Sequence, residues 1–191
     1  MDSGTNFGAR MAGMIGASES IVGNAILVKK VYFPREIIPA ATVLFNLIQM
    51  ALALLVFLPS LLVIRGTAPW TVVLYPGVLA LHAVFVIGVA LGLSALTVLF
   101  RDLKHLTEVG LTMLFWLTPI IYPMSIVPER LRTVLVFNPM TAYISAYQEI
   151  TYWGRVPTPA AFLVMLVWSA VSLSIGLTIF RRRAPYLAED L

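Results

Sequence analysis

From Ile37 to Ile64 the chain carries no charged side chain. A run of that length constrains the fold more than any other feature. A bilayer's hydrocarbon core is crossed by about 20 mostly apolar residues in a helix, so 37–64 reads as a transmembrane helix with length left for tilt. Arg65-Gly66 closes it. Three further apolar runs follow, at 70–100, 106–122 and 158–180, and Arg181-Arg182-Arg183 stops the last. Only Gly66-Thr67-Ala68-Pro69 separates the first run from the second, which implies an antiparallel hairpin.

Composition agrees. Of 191 residues, 60% are hydrophobic and 12% charged, with mean hydropathy +0.92. A soluble domain carries roughly 25% charged residues, so the expectation is an integral membrane protein. The net charge of +4 fits cytoplasmic loops facing anionic lipid, and no basic soluble module suggests nucleic acid as a partner. Cysteine is absent, which excludes disulfides, thiolate metal sites and cysteine nucleophiles. Residues 1–27 are rich in Gly, Ser and Ala, too weakly apolar to span alone. They read as the remnant of an earlier helix, and Met1 to Asn6 does not read as a signal peptide.

Within the runs, spacing places polar and small residues on particular faces. Thr42, Asn46, Gln49 and Ala53 share one face of the first helix, suited to helix–helix hydrogen bonds or to a substrate-facing role. Gly88 and Gly92 form a GxxxG pattern with Ala95 extending the small face, which lets a neighbouring backbone approach. His82 is the ionisable group well inside the second run, read more readily as a hydrogen-bonded structural residue than as a proton relay. Glu108, Thr112, Trp116 and Pro119 share a face of the third. The segment 123–157 differs, because Pro123, Pro128, Pro139, Gly154 and Pro157 divide it. Two helices too short to span fit there, one opened by Pro128-Glu129 and ended by Asn138-Pro139, the other running from Met140 to Trp153 and ended by Gly154. They read as an external re-entrant or interfacial pair.

Basic residues then orient the chain. Lys29, Lys30, Arg35, Arg101, Lys104 and Arg181–Arg183 fall on one side, and Arg65, Arg130, Arg132 and Arg155 on the other. The first side holds twice as many, so it reads as cytoplasmic, with both termini there. The fold class expected is all-α integral membrane: four transmembrane helices and a re-entrant helix pair in one domain, 1–191, with a brief cytoplasmic helix or turn at the membrane surface ahead of the first span. No GxxxxGK[ST], HExxH or GxSxG occurs, and no nucleophile–base pair has useful spacing. No catalytic, cofactor-binding or metal residue is therefore assigned, and the chain reads as a non-enzyme.

Residues 28–39, Val28-Lys29-Lys30-Val31-Tyr32-Phe33-Pro34-Arg35-Glu36-Ile37-Ile38-Pro39, precede the first span. By charge alone they read as a juxtamembrane anchor. VKKVYFPREI, followed in order by FRDL, TPIIYP and an Asn-Pro break, resembles the ABC-2 type transport permeases, in particular the O-antigen and teichoic acid exporter branch. That resemblance implies that 28–36 is the coupling segment, with Tyr32, Phe33, Arg35 and Glu36 contacting a separate ATPase subunit that binds the ATP. It implies a second permease copy, the lipid bilayer and a lipid-linked glycan as partners, in the cytoplasmic (inner) membrane. Phe115, Trp116, Tyr122, Tyr143 and Tyr147 could then line a glycan path, or serve as interfacial belt and core packing. Family members have six spans, so the resemblance also implies that the first span and most of the second are missing. A drug or small-lipid exporter permease, or a structural membrane subunit without transport, are the competing readings.

Overall fold

The computed structural model describes residues 37–66, 69–100, 102–120, 122 and 126–184. The expected coupling segment, with Tyr32, Phe33, Arg35 and Glu36, lies outside the described residues, as do 1–27. What is described is helical. Helix α1 is Ile37–Arg65, a 3-10 turn at Trp70–Leu74 leads into α2 at Tyr75–Leu99, and α3 is Leu103–Leu117. Helix α4 is Glu129–Phe137, α5 is Pro139–Gln148 and continues through a π turn at Glu149–Trp153, and α6 is Pro159–Arg183. Among the described residues, three helices are long and apolar enough to cross a membrane: Pro39–Ser60, Trp70–Leu99 and Pro159–Arg183.

The helix at the centre of the bundle is α2. In its spanning window 56% of residues are buried, against 17% in each of the other two. Its most extensive neighbour is α6, followed by α1. Helix α1 turns Val43, Met50 and Leu54 inward and leaves Leu44, Phe45, Ile48, Leu52, Leu55 and Val56 exposed. In water such a face would be a liability, whereas against lipid tails it is the ordinary outer surface. Pro59 sits inside α1 without ending it. It leaves one carbonyl of the preceding turn without its helical donor, a loss that membrane helices tolerate. Gly66, at φ +73°, ends the helix in the left-handed conformation that glycine adopts at little cost. The expected polar face of α1 behaves locally, with the Asn46 amide donating to the carbonyl of Thr42 on its own helix at 2.8 Å.

The α2–α6 contact reads in register. Leu81 pairs with Ser169 and Phe85 with Ser172. Gly88 faces Ser172, Leu173 and Gly176, and Val98 clusters with Phe180. Both numbers rise together, so the two helices run parallel. Their first residues lie at one end of the bundle, and Phe100, Asp102 and Arg181–Arg183 lie at the other. At the crossing the backbones touch: a Cβ on Gly176 would collide with the carbonyl of Gly88, and a Cβ on Gly88 with the Ser172–Leu173 backbone. Gly92 is looser, its Cβ position lying 3.7 Å from the Cα of Gly176.

The run at 106–122 is not helical throughout. Helix α3 is 15 residues long, about 22 Å at 1.5 Å per residue, against a hydrocarbon core of about 30 Å. It stops because Pro119 disfavours helical backbone at the residue before it, and Thr118 is extended at φ −97°, ψ 132°. Pro128 precedes α4, and Asn138 precedes α5 as its N-cap, accepting from the Met140 amide at 3.0 Å with Pro139 in the first turn. Gly154, at φ +61°, ends the π turn.

Candidate functional site in the short helix pair and its seat

Helix α5 is embedded in the spanning helices rather than laid on them. Met140, Tyr143, Ala146 and Tyr147 are buried, joined by Ile150 one turn later. Their spacing of three and four residues makes a single inward stripe, and the stripe meets α2 and α6 at three levels. Deepest in the seat, the Tyr143 hydroxyl lies 2.7 Å from Ser169 Oγ and 2.9 Å from the Met165 carbonyl. Ser169 Oγ in turn lies 2.8 Å from the Leu81 carbonyl. The Met165 and Leu81 carbonyls can only accept, Met165 from the Tyr143 and Ser169 hydroxyls and Leu81 from Ser169, and either oxygen can donate across the Tyr143–Ser169 contact, so the two hydroxyls form a network that ties α5, α6 and α2 together. At the middle level the His82 ring stacks on Tyr143, centroids 4.5 Å apart and planes 16° apart. Its Nδ1 is 3.5 Å from the Tyr147 hydroxyl, and Tyr147 also packs on Tyr75 at 4.7 Å. At the outer level the fully buried Thr71 hydroxyl donates to the Ile150 carbonyl at 2.8 Å.

Such a seat satisfies polar atoms that would otherwise be stranded in an apolar interior, where an unmade hydrogen bond costs about 1–3 kcal/mol. The seat does not satisfy every such atom: His82 Nε2 and Thr141 Oγ1 are buried and make no hydrogen bond among the described residues, so His82 is held by its stack on Tyr143 and by the 3.5 Å contact of Nδ1 with Tyr147. Ser169 and Ser172 were not singled out in the sequence. The signal was available, since 169, 172 and 176 place two serines and a glycine on one face of α6, a small-residue stripe of the kind that pairs membrane helices.

The five aromatic residues proposed for a path divide into two groups. Tyr143 and Tyr147 belong to the seat just described. Phe115, Trp116 and Tyr122 gather at the far end of α3: the Phe115 and Trp116 rings meet edge to face at 5.6 Å, and the Tyr122 hydroxyl donates to the Trp116 carbonyl at 3.1 Å. Trp116 is exposed, and Phe115 is half-buried against Ile120 and Ile144. The two groups approach through the α4–α5 corner, where Asn138 Nδ2 donates to Thr118 Oγ1 at 3.1 Å and Thr118 donates to the Leu114 carbonyl at 2.6 Å. One asparagine thus caps α5 and fastens the end of α3.

Charge is sparse and peripheral. His105 and Glu108 form an exposed pair at 3.6 Å in the first turns of α3. Near the outer end of the seat, partial burial raises the carboxyl pKa of Glu149, and the neighbouring Arg155 opposes that shift. Among the described residues no group of three or more His, Cys, Asp or Glu side chains could hold a metal ion. What the arrangement offers is a stiff, aromatic-lined scaffold in lipid.

Comparison with known proteins agrees with that picture. Residues 7–152 match the family model described as ABC-2 type transporter. An O-antigen export system permease protein of Myxococcus xanthus is 32% identical over 178 residues, covering 92% of this chain and 68% of that protein. Two O-antigen export system permease proteins of Klebsiella pneumoniae are 26% and 27% identical, each covering 90% of this chain and 66% of their own length. The chain therefore spans about two thirds of the relatives it matches. With the family model covering most of the sequence, the chain belongs to the ABC-2 type transporter family.

Proposed function

We propose that this chain is membrane permease of an ABC exporter that moves a lipid-linked polysaccharide across the cytoplasmic membrane, with ATP hydrolysis supplied by a separate ATPase subunit. The carrying observation is its alignment over nearly its whole length with three permeases of O-antigen export systems. The permease acts as one of two copies, and 28–36 transmits work from the ATPase through Tyr32, Phe33, Arg35 and Glu36. Four spans with both ends cytoplasmic, the fourth completed around α3, complete the topology. A large amphiphile needs a wide path with surfaces on which sugar rings can stack, and Phe115, Trp116 and Tyr122 at the end of α3 are the candidates still accessible. Tyr143 and Tyr147 act behind that surface by holding α5 in place.

The test is deletion of the gene in its native cell. Surface glycan, read on a lipopolysaccharide gel, should be lost while the lipid-linked precursor accumulates at the inner membrane. Unchanged surface glycan, with a small-molecule efflux defect instead, would overturn the polysaccharide assignment in favour of a drug-exporter permease.

A further inference from the structure

We infer that Trp70, Tyr152 and Trp153, with Arg155 beside them, form a membrane-anchoring patch seated in the lipid headgroup layer at the end of the bundle opposite Arg181–Arg183. The inference rests on the membrane reading and adds where the bilayer ends. All three rings are exposed, Trp70 at 69% and Tyr152 and Trp153 at 61% each. They are held rather than loose. The π turn carries Ile150 fully into the core and presents the two ring-bearing residues after Thr151 outward, where they meet edge to face at 5.0 Å. The Thr71–Ile150 hydrogen bond fixes this turn beside the 3-10 turn that bears Trp70. The two turns touch closely, for a Cβ on Gly154 would lie 3.2 Å from the Cβ of Pro69.

Position selects the occupant. The patch lies where α2 and α6 begin, and Val73, Val156 and Leu163, from the same starts of the two helices, are exposed as well. Tryptophan and tyrosine collect at the boundary of hydrocarbon and water because each has an apolar body and one polar atom. Exposed Arg155 places a cation among them, complementary to lipid phosphate and long enough to reach it from the apolar side. Facing water, an aromatic patch this size would be an aggregation surface.

The experiment reads depth. The chain has four tryptophans, so two variants each keep one, Trp153 or Trp168, with the others changed to Phe. Each is reconstituted in phosphatidylcholine–phosphatidylglycerol vesicles with bromines near either the carboxyl or the methyl end of the acyl chains. Trp168 lies nine positions into α6 from Pro159, about 13 Å along the axis at 1.5 Å per residue, so it should lose most emission to the deep bromines. Trp153 should lose most to the shallow ones, at a depth about 15 Å from the bilayer centre, half of the ~30 Å core. Lipid quenching of Trp168 alone, with Trp153 quenched by aqueous iodide, would overturn the anchoring patch while leaving the spans intact. Protection of Trp153 from iodide by soluble polysaccharide would assign the patch to sugar instead and equally overturn it. Iodide quenching of both would sink the membrane reading and the patch with it.

Discussion

Changing Gly176 to Ala places a methyl group on the backbone of α2, and the size of the penalty follows from the crossing geometry. The added Cβ would overlap the carbonyl of Gly88 and stand 3.1 Å from its Cα. Backbone on both sides leaves no flexible side chain to give way, so α2 and α6 must separate. Gaps of 0.5–1 Å already forfeit about a quarter to a half of each dispersion contact along the seam. The same movement stretches the Ser169–Leu81 and Ser172–Phe85 hydrogen bonds, both 2.8 Å. Interhelical hydrogen bonds in membranes contribute about 0.6 kcal/mol each, and overpacking costs roughly 1–3 kcal/mol. Together these give a loss of about 2–4 kcal/mol, a factor of roughly thirty to several hundred in the unfolding equilibrium. Gly88→Ala should behave alike. Gly92→Ala should not, because its methyl meets Gly176 Cα at 3.7 Å and Ile179 Cδ1 at 4.0 Å, ordinary contact distances. Gly110, with nothing within 4 Å of an added Cβ, is the neutral control, and replacing it should change stability by no more than about 1 kcal/mol. The assay is unfolding of the reconstituted protein in mixed micelles titrated with a denaturing detergent. Equal stability of the Gly88→Ala and Gly92→Ala variants would refute the crossing, since the motif alone treats the two glycines as equivalent.

The seat of α5 makes a second prediction: Tyr143→Phe and Ser169→Ala should be non-additive, coupled by about 0.6–1.7 kcal/mol in a double-mutant cycle in the same micelles, and zero coupling would rule out the Tyr143–Ser169 hydrogen bond. Topology can be read directly because the chain has no native cysteine. Arg155→Cys should react with an impermeant thiol reagent added outside the cell and Lys104→Cys should not, the reverse pattern sinking the assigned orientation. For the proposed coupling segment, Phe33→Ala with Arg35→Ala should reduce copurification of the ATPase about thirtyfold and abolish export while insertion persists, because losing a central anchor costs about 2 kcal/mol or more. Undiminished copurification with normal export would return 28–36 to a plain juxtamembrane anchor.

The sequence by itself determined the class of molecule. Uncharged runs around 37–64, 70–100 and 158–180 can satisfy their backbone in lipid only as helices, and three long apolar helices are what the structure holds there. Local rules also set the ends: Arg65-Gly66 and Gly154 stop helices, and Asn138-Pro139 separates α4 from α5. At 106–122 hydropathy did not mark where the helix ends: the apolar composition continues past Leu117, where Pro119 disfavours helical backbone at Thr118; the stop is a backbone effect, and composition does not register it. Only the tertiary structure decided who pairs with whom. Gly88 and Gly92 look alike in sequence, yet one touches the backbone of α6 and the other has room, because the partner helix has its own register. Tyr143 and Tyr147 looked as available to a substrate as Trp116, and packing placed them behind His82, Tyr75 and Ser169 instead. Every one of these distinctions depends on contacts between residues about 22 to 88 positions apart, and the local periodicity from which spans are read carries no information about separations of that length.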